Sequence, residues 1–236
     1  MTLFLNGGGC GKQVKESYEL FKEKVDTKKP LLYIPLAMEK EKYTSCLEWI
    51  SGELAEFNFS KIDMITSAEE LCAKNLDDYA ALFIGGGNTY KLLAELKSCG
   101  AFQKIQAFLE QGGIVFGGSA GAILFGKTID SCRHADQNEL GLKETSGFNK
   151  VFGAYIGAHY PNDNPIKTAE ATANFTKVSF DAPVIALPEE DTLVIDKNTI
   201  KIVGSKPYHI FKKGSAHQLE PNQIYFVSTF RDLIKG

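Results

Sequence analysis

The sequence predicts an α/β domain with a mainly parallel sheet and helices on both faces. Short, nearly continuous apolar runs, such as TLFLN (Thr2–Asn6), PLLYIPLA (Pro30–Ala37) and AALFIGGGN (Ala80–Asn88), alternate with segments of helical period. Strands covered on both faces by crossover helices read as such continuous runs. Two of the runs also stop at glycine turns that open a helix, Gly85-Gly86-Gly87-Asn88 and Gly117-Gly118-Ser119.

In chain order, TLFLN is the first strand and ends in Gly7-Gly8-Gly9. Gln13–Val25 places Val14, Tyr18, Phe21 and Val25 at helical spacing. Pro30–Ala37 is a strand and Tyr43–Phe57 a helix. Lys61–Thr66 is a short strand, and SAEELCAK starts a helix with Ser67 as cap and Glu70 three residues on. Ala80–Asn88 is the next strand, TYKLLAELKSCG a helix closing at Gly100, and Ala101–Gly113 an amphipathic helix with a glycine stop. VFGGSAGAILFG (Val115–Gly126) supplies strand, turn and helix. Ser131–Lys150 is polar and loop-rich. Gly153–Tyr160, Ala182–Pro188, TLVID, Ile200–Gly204 and QIYFVS read as strands, completing the sheet and adding a C-terminal β-hairpin. No linker or repeat divides the chain, so residues 1–236 are expected to form one domain.

Composition narrows the class of function. Charged residues make up 23% and the net charge is −3, which gives no reason to expect nucleic acid or a membrane surface as partner. The five cysteines are dispersed without a CxxC pair and read as reduced thiols. The amino terminus lacks the pattern of a signal peptide, and no stretch is apolar over the roughly 20 residues of a membrane span. A soluble cytoplasmic protein is the expectation.

Ser119 stands out. Gly117-Gly118-Ser119-Ala120-Gly121 satisfies G-x-S-x-G, in which a sharp strand-to-helix turn lifts a hydroxyl above the sheet edge. The helix that follows aims free N–H groups at the same place, suiting an oxyanion. A plain N-cap serine fits the pentapeptide equally well. The second glycine turn favours a site, because two such turns at one sheet edge put donors on both sides of a pocket. Phosphate binding is weaker, since neither turn fits a P-loop or a dinucleotide fingerprint.

A serine needs a base. Of His134, His159, His209 and His217, only His159 ends a strand-like run; His134 falls in a polar loop, and His209 and His217 flank a lysine-rich turn and read as solvent-facing. For the carboxylate that orients the imidazole, Glu189 follows VIALP at a strand end and Asp136 lies in RHADQNE. Glu189 is the more rigidly held of the two. Cys10, in GGGCGK, is the only cysteine at a strand–turn–helix corner and has no partner histidine in view.

FIGGGNTYKLL (Phe83–Leu93), GGSAGA (Gly117–Ala122), AHY (Ala158–Tyr160) and VIALPE (Val184–Glu189) together resemble the peptidase E family of serine peptidases, the aspartyl dipeptidases. The resemblance implies a three-layer α/β/α fold, class I glutamine amidotransferase-like (flavodoxin-like). It also implies Ser119 as nucleophile, His159 as base, Glu189 or Asp136 as third member, and Gly87 and Ala120 as oxyanion-hole donors. Neither metal nor organic cofactor is called for. The substrate would be a small peptide or amide, and the family resemblance admits a homodimer, although no interface stripe is visible.

One departure matters. Aspartyl dipeptidases hold an acidic side chain with an arginine between the histidine and glutamate strands. Tyr160–Asp181 here carries Lys167 and Lys177 but no arginine, and reads as too short and polar for a specificity helix. The competing readings are a non-catalytic anion or small-molecule binding module on the same scaffold, and a cyanophycinase-like hydrolase using Asp163, Glu170 and Glu190 against arginine side chains.

Overall fold

The computed structural model describes residues 1–235. Its elements run β1 (Thr2–Asn6), α1 (Lys15–Lys24), β2 (Leu31–Ile34), α2 (Tyr43–Glu53), β3 (Ile62–Met64), α3 (Ala68–Ala73), β4 (Ala81–Ile84), α4 (Thr89–Ser98), α5 (Ala101–Glu110), β5 (Ile114–Gly118) and α6 (Ala120–Ile123). Then come β6 (Tyr155–Gly157), α7 (Pro165–Val178), β7 (Val184–Ala186), β8 (Thr192–Asp196), β9 (Thr199–Val203), β10 (Tyr208–Lys212), β11 (Ser215–Leu219), β12 (Ile224–Phe226) and α8 (Val227–Lys235). Short 3₁₀ turns precede α1 and follow α2. The helix expected to run through Phe57 therefore breaks at Glu53, and the strand read in QIYFVS stops at Phe226, where α8 begins.

The main sheet has eight strands in the order β12-β9-β8-β1-β5-β4-β2-β3. β1, β5, β4, β2 and β3 are parallel neighbours, while β8, β9 and β12 extend the sheet antiparallel from β1. Successive residues of a strand point to opposite faces, so Leu3 and Leu5 join one core with α4 and α5, while Phe4 joins the other with α1 and α2. The three layers follow directly. Ser67 caps α3 as expected, accepting from the Glu70 N–H at 3.3 Å.

The second half departs from a simple completion of the sheet. β6 and β7 leave it and form a separate four-stranded sheet, β11-β10-β7-β6, so the C-terminal hairpin β10–β11 belongs to this second sheet. Pro188 ends β7's run without an N–H to continue a ladder, and the chain re-enters the main sheet as β8. Nothing in a short strand's own sequence says which sheet will take it.

Tyr160–Asp181 requires a correction. It contains α7, a helix of 14 residues, begun by Pro165 and capped by Asn164, whose Oδ1 accepts from the Lys167 N–H at 3.1 Å. Only Ala171 and Phe175 are buried on it. So narrow an apolar stripe leaves little helical period to read. Phe175 packs with Tyr155, Tyr160 and Phe211 in a small core under the second sheet.

All five cysteines are free, and Cys72 and Cys99, distant in sequence, bring their sulfurs to 3.2 Å. Among the described residues no helix is long and apolar enough to cross a membrane.

Candidate active site

The site forms where the carboxyl ends of the two sheets meet. Asn6 and Gly118 are paired at the ends of β1 and β5, and Ile84 pairs with Gly117 at the end of β4. In the second sheet Gly157 pairs with Ala186, and each strand leads within three residues to a polar side chain, His159 and Glu189. In open α/β sheets ligands bind beyond such strand ends.

Ser119 sits between β5 and α6 with φ 52° and ψ −112°, a backbone conformation non-glycine residues seldom adopt. The turn is tight enough that a Cβ at Gly117 would lie 2.5 Å from the Gly121 carbonyl oxygen, and one at Gly121 would lie 2.2 Å from that of Ile84. That is the physical content of the G-x-S-x-G spacing. The Ser119 N–H donates to the Asn6 carbonyl at 3.1 Å, and the hydroxyl makes no capping bond to α6. It is turned instead toward His159.

Ser119 Oγ lies 2.7 Å from His159 Nε2, and His159 Nδ1 lies 2.9 Å from Glu189 Oε1. Both the imidazole and the carboxylate are about half exposed, at 48% each, so the relay opens to solvent. His159 stands two residues past β6 with φ 54°, and its N–H donates to the Gly7 carbonyl at 2.8 Å. On the facing turn, Gly86 comes close enough that a Cβ there would be 3.1 Å from that of Ser119. The Gly87 and Ala120 N–H groups have no acceptor among the described residues. Ala120 opens α6, where the first amides lack intrahelical acceptors.

Asp136 lines a cleft beside Ser119 and His159 but hydrogen-bonds to Thr89, its Oδ2 accepting from the Thr89 N–H at 2.9 Å and from the Thr89 hydroxyl at 2.5 Å at the first turn of α4. A backbone N–H at a helix start is an orphan donor, and Asp136 satisfies it. Asn88 caps the same helix through Lys91 N–H at 3.0 Å and donates to the Gln137 carbonyl at 2.8 Å. Residues 136 and 137 thus clamp the helix that the Gly85–Asn88 turn opens. Of the other histidines, His134 lies edge-on to Phe175 of α7 at 5.3 Å. His209 is not solvent-facing: it is half-buried against Tyr160 at 4.6 Å, and burial lowers its pKa.

Sequence reasoning missed Asn6 and Gly8. The Asn6 amide donates to the carbonyls of Glu189 and Asp191 at 3.3 and 3.2 Å and to Thr192 Oγ1 at 3.0 Å, while its own oxygen accepts from Gly8 N–H at 2.8 Å. Gly9 N–H adds a bond to the Glu189 carbonyl at 3.0 Å. The segment carrying Glu189 is therefore fixed by the end of β1. The available signal was Gly7-Gly8-Gly9, a third glycine turn after an apolar strand. Among the described residues no group of three His, Cys, Asp or Glu side chains is gathered as a metal site would require.

Two clefts flank Ser119 and His159. One, of about 270 Å³, includes Tyr18, Trp49, Phe83 and Phe116. The other, of about 350 Å³, includes Thr89, Ser131, Cys132, His134 and Asp136. Burial and the neighbouring Asp136 push the Cys132 thiol up to about 12, so it stays protonated there.

The model of peptidase family S51 matches residues 3–203. A peptidase E of Shewanella sp. (strain W3-18-1) is 30% identical over 197 residues, covering 80% of each chain. A peptidase E of Nostoc sp. (strain PCC 7120 / SAG 25.82 / UTEX 2576) is 26% identical over 199 residues, covering 80% of this chain and 78% of that one. The crystal structure of a peptidase from an acI-B1 Actinobacterium shares the fold, with a TM-score of 0.71 at 19% identity over 95% of this chain and 96% of that one.

Proposed function

Since the chain belongs to peptidase family S51 and is a serine-type peptidase, we propose that it cleaves short peptides through Ser119, His159 and Glu189. The observation that carries this reading is the unbroken relay from hydroxyl to imidazole to carboxylate, at 2.7 and 2.9 Å.

In this reading Ser119 Oγ attacks the scissile carbonyl carbon while His159 Nε2 takes the hydroxyl proton. Glu189 accepts from Nδ1–H, fixing the tautomer with Nε2 free as the base and stabilising the imidazolium that forms. The carbonyl oxygen becomes an oxyanion that the Gly87 and Ala120 N–H groups meet from two sides. Collapse of the tetrahedral intermediate breaks the C–N bond, and the imidazolium gives its proton to the departing amine. Water, deprotonated by His159, then attacks the acyl-serine and restores the hydroxyl. The absence of arginine from the segment joining His159 to Glu189 argues against the acidic-side-chain preference of aspartyl dipeptidases.

The direct test is labelling with a fluorophosphonate. Modification should map to Ser119 and vanish in Ser119→Ala, whose kcat on a cleaved peptide should fall on the order of 10⁶-fold. A chain that resists the reagent while folded, or an Ala variant with full turnover, would remove the proposal.

A further inference from the structure

The cleft on the Tyr18 side of Ser119 is walled by glycines over aromatic rings. Its floor is aromatic: Phe83 and Phe116 stack at 4.8 Å, and Tyr18 lies 5.5 Å from Phe116. All three rings are buried. Trp49 stands at the mouth, 39% exposed and edge-on to Phe83 at 6.3 Å. Among the described residues the lining holds no Asp, Glu, Lys or Arg. Its one amide, Asn6, already spends both ends on Gly8, Glu189, Asp191 and Thr192. Burial and the neighbouring Glu53 push the Tyr18 phenol up, so that ring stays neutral. At about 270 Å³ the space falls below the roughly 300–1,000 Å³ of clefts that enclose whole small ligands.

We propose that this cleft seats one apolar side chain, aromatic or branched aliphatic, of a residue flanking the scissile bond, with Trp49 as its specificity-determining rim. The proposal rests on the peptidase reading of Ser119 and His159, which border the same cleft. A leucine or phenylalanine side chain there leaves water against the exposed indole of Trp49. A carboxylate or ammonium side chain seated there would lose its hydration with no Asp, Glu, Lys or Arg to pair with.

Trp49 is the only tryptophan in the chain, so binding can be followed without turnover. Ser119→Ala protein would be titrated with Ala-Xaa and Xaa-Ala dipeptides in which Xaa is Gly, Leu, Phe, Asp or Lys, monitoring Trp49 emission. In one of the two series Leu and Phe should bind at least about tenfold more tightly than Gly, Asp or Lys, within the 10–200-fold range of apolar pocket discrimination. In the wild-type enzyme Trp49→Ala should raise KM for the Leu and Phe peptides about tenfold and leave the Gly peptide and kcat within about twofold. Trp49→Phe should restore most of the loss. Equal or tighter binding of Asp or Lys peptides, or a Trp49→Ala variant that slows every peptide alike, would overturn the proposal. Fluorophosphonate labelling separates the two claims: a labelled Ser119 without apolar preference sinks the cleft assignment alone. Apolar preference in the titration without labelling or turnover leaves the cleft standing and sinks the triad.

Discussion

Gly8 lies directly against the imidazole of His159: a methyl group at Gly8 would stand 2.1 Å from Cε1 of the ring. Gly8 also holds φ +118°, a conformation alanine adopts only under strain. The turn after β1 thus sets where the imidazole can sit, although β1 contributes no reacting group. Gly8→Ala should slow fluorophosphonate labelling of Ser119 about 10²-fold, the usual cost of a displacement near 1 Å. The backbone strain should lower the melting temperature by only a few degrees, for a loss of about 1 kcal/mol. Unchanged labelling would show that the ring does not need this contact.

Glu189 and Asp136 should separate cleanly by conservative substitution. Glu189→Gln keeps the shape but no longer fixes the tautomer, and kcat should fall on the order of 10⁴-fold. Asp136→Asn keeps an acceptor for Thr89, so kcat should fall less than about tenfold, whereas Asp136→Ala orphans the Thr89 donors and should lower the melting temperature as well. The reverse ranking in steady-state kinetics would exchange the two roles.

Asp191 is fully buried, its Oδ1 accepting from the Ser205 and Lys206 N–H groups at 3.2 and 3.3 Å and its Oδ2 unpartnered. Burial, with Glu190 and Glu220 adding to it, pushes its pKa from 3.8 up to about 7. The folded state therefore holds this proton more tightly than the unfolded chain. Its contribution to stability is fully present below about pH 4 and is lost as the pH rises through 7. Asp191→Asn, which keeps the acceptor and cannot ionise, should flatten the fall in melting temperature between pH 4 and pH 8. Parallel curves for the two proteins would show that Asp191 does not govern that slope.

Phe116 is buried and stacks on Phe83 at 4.8 Å and Phe4 at 5.9 Å, on the strand that leads into the Ser119 turn. Phe116→Ala should cost about 3–5 kcal/mol by cavity formation and lower the melting temperature by roughly 10 °C. A drop of only a degree or two in a thermal melt would mean that the neighbouring rings collapse into the space.

The strands, their apolar runs and the glycine turns were legible because they are local. A run such as ALFI followed by glycine carries its own backbone preference, and G-x-S-x-G encodes close approaches within one turn. α7 was less legible because only Ala171 and Phe175 face inward on it. Asp136 was ambiguous because its partner, Thr89, is 47 residues away and supplies no sequence signal. His209 was misread because Tyr160, the ring packed closest against it, comes from a segment 49 residues earlier in the chain.

By itself, then, the sequence determined a layered α/β chain and a serine at a strand-to-helix corner, since both depend on residues within a few positions of one another. Only the tertiary structure decided that β6 and β7 form a second sheet, and that its ends bring His159 and Glu189 to Ser119. It also decided that Asn6 and Gly8 hold them there. Such arrangements depend on pairings across as many as 186 residues, like that of Asn6 with Thr192, and their free energy comes from packing that no single segment contains.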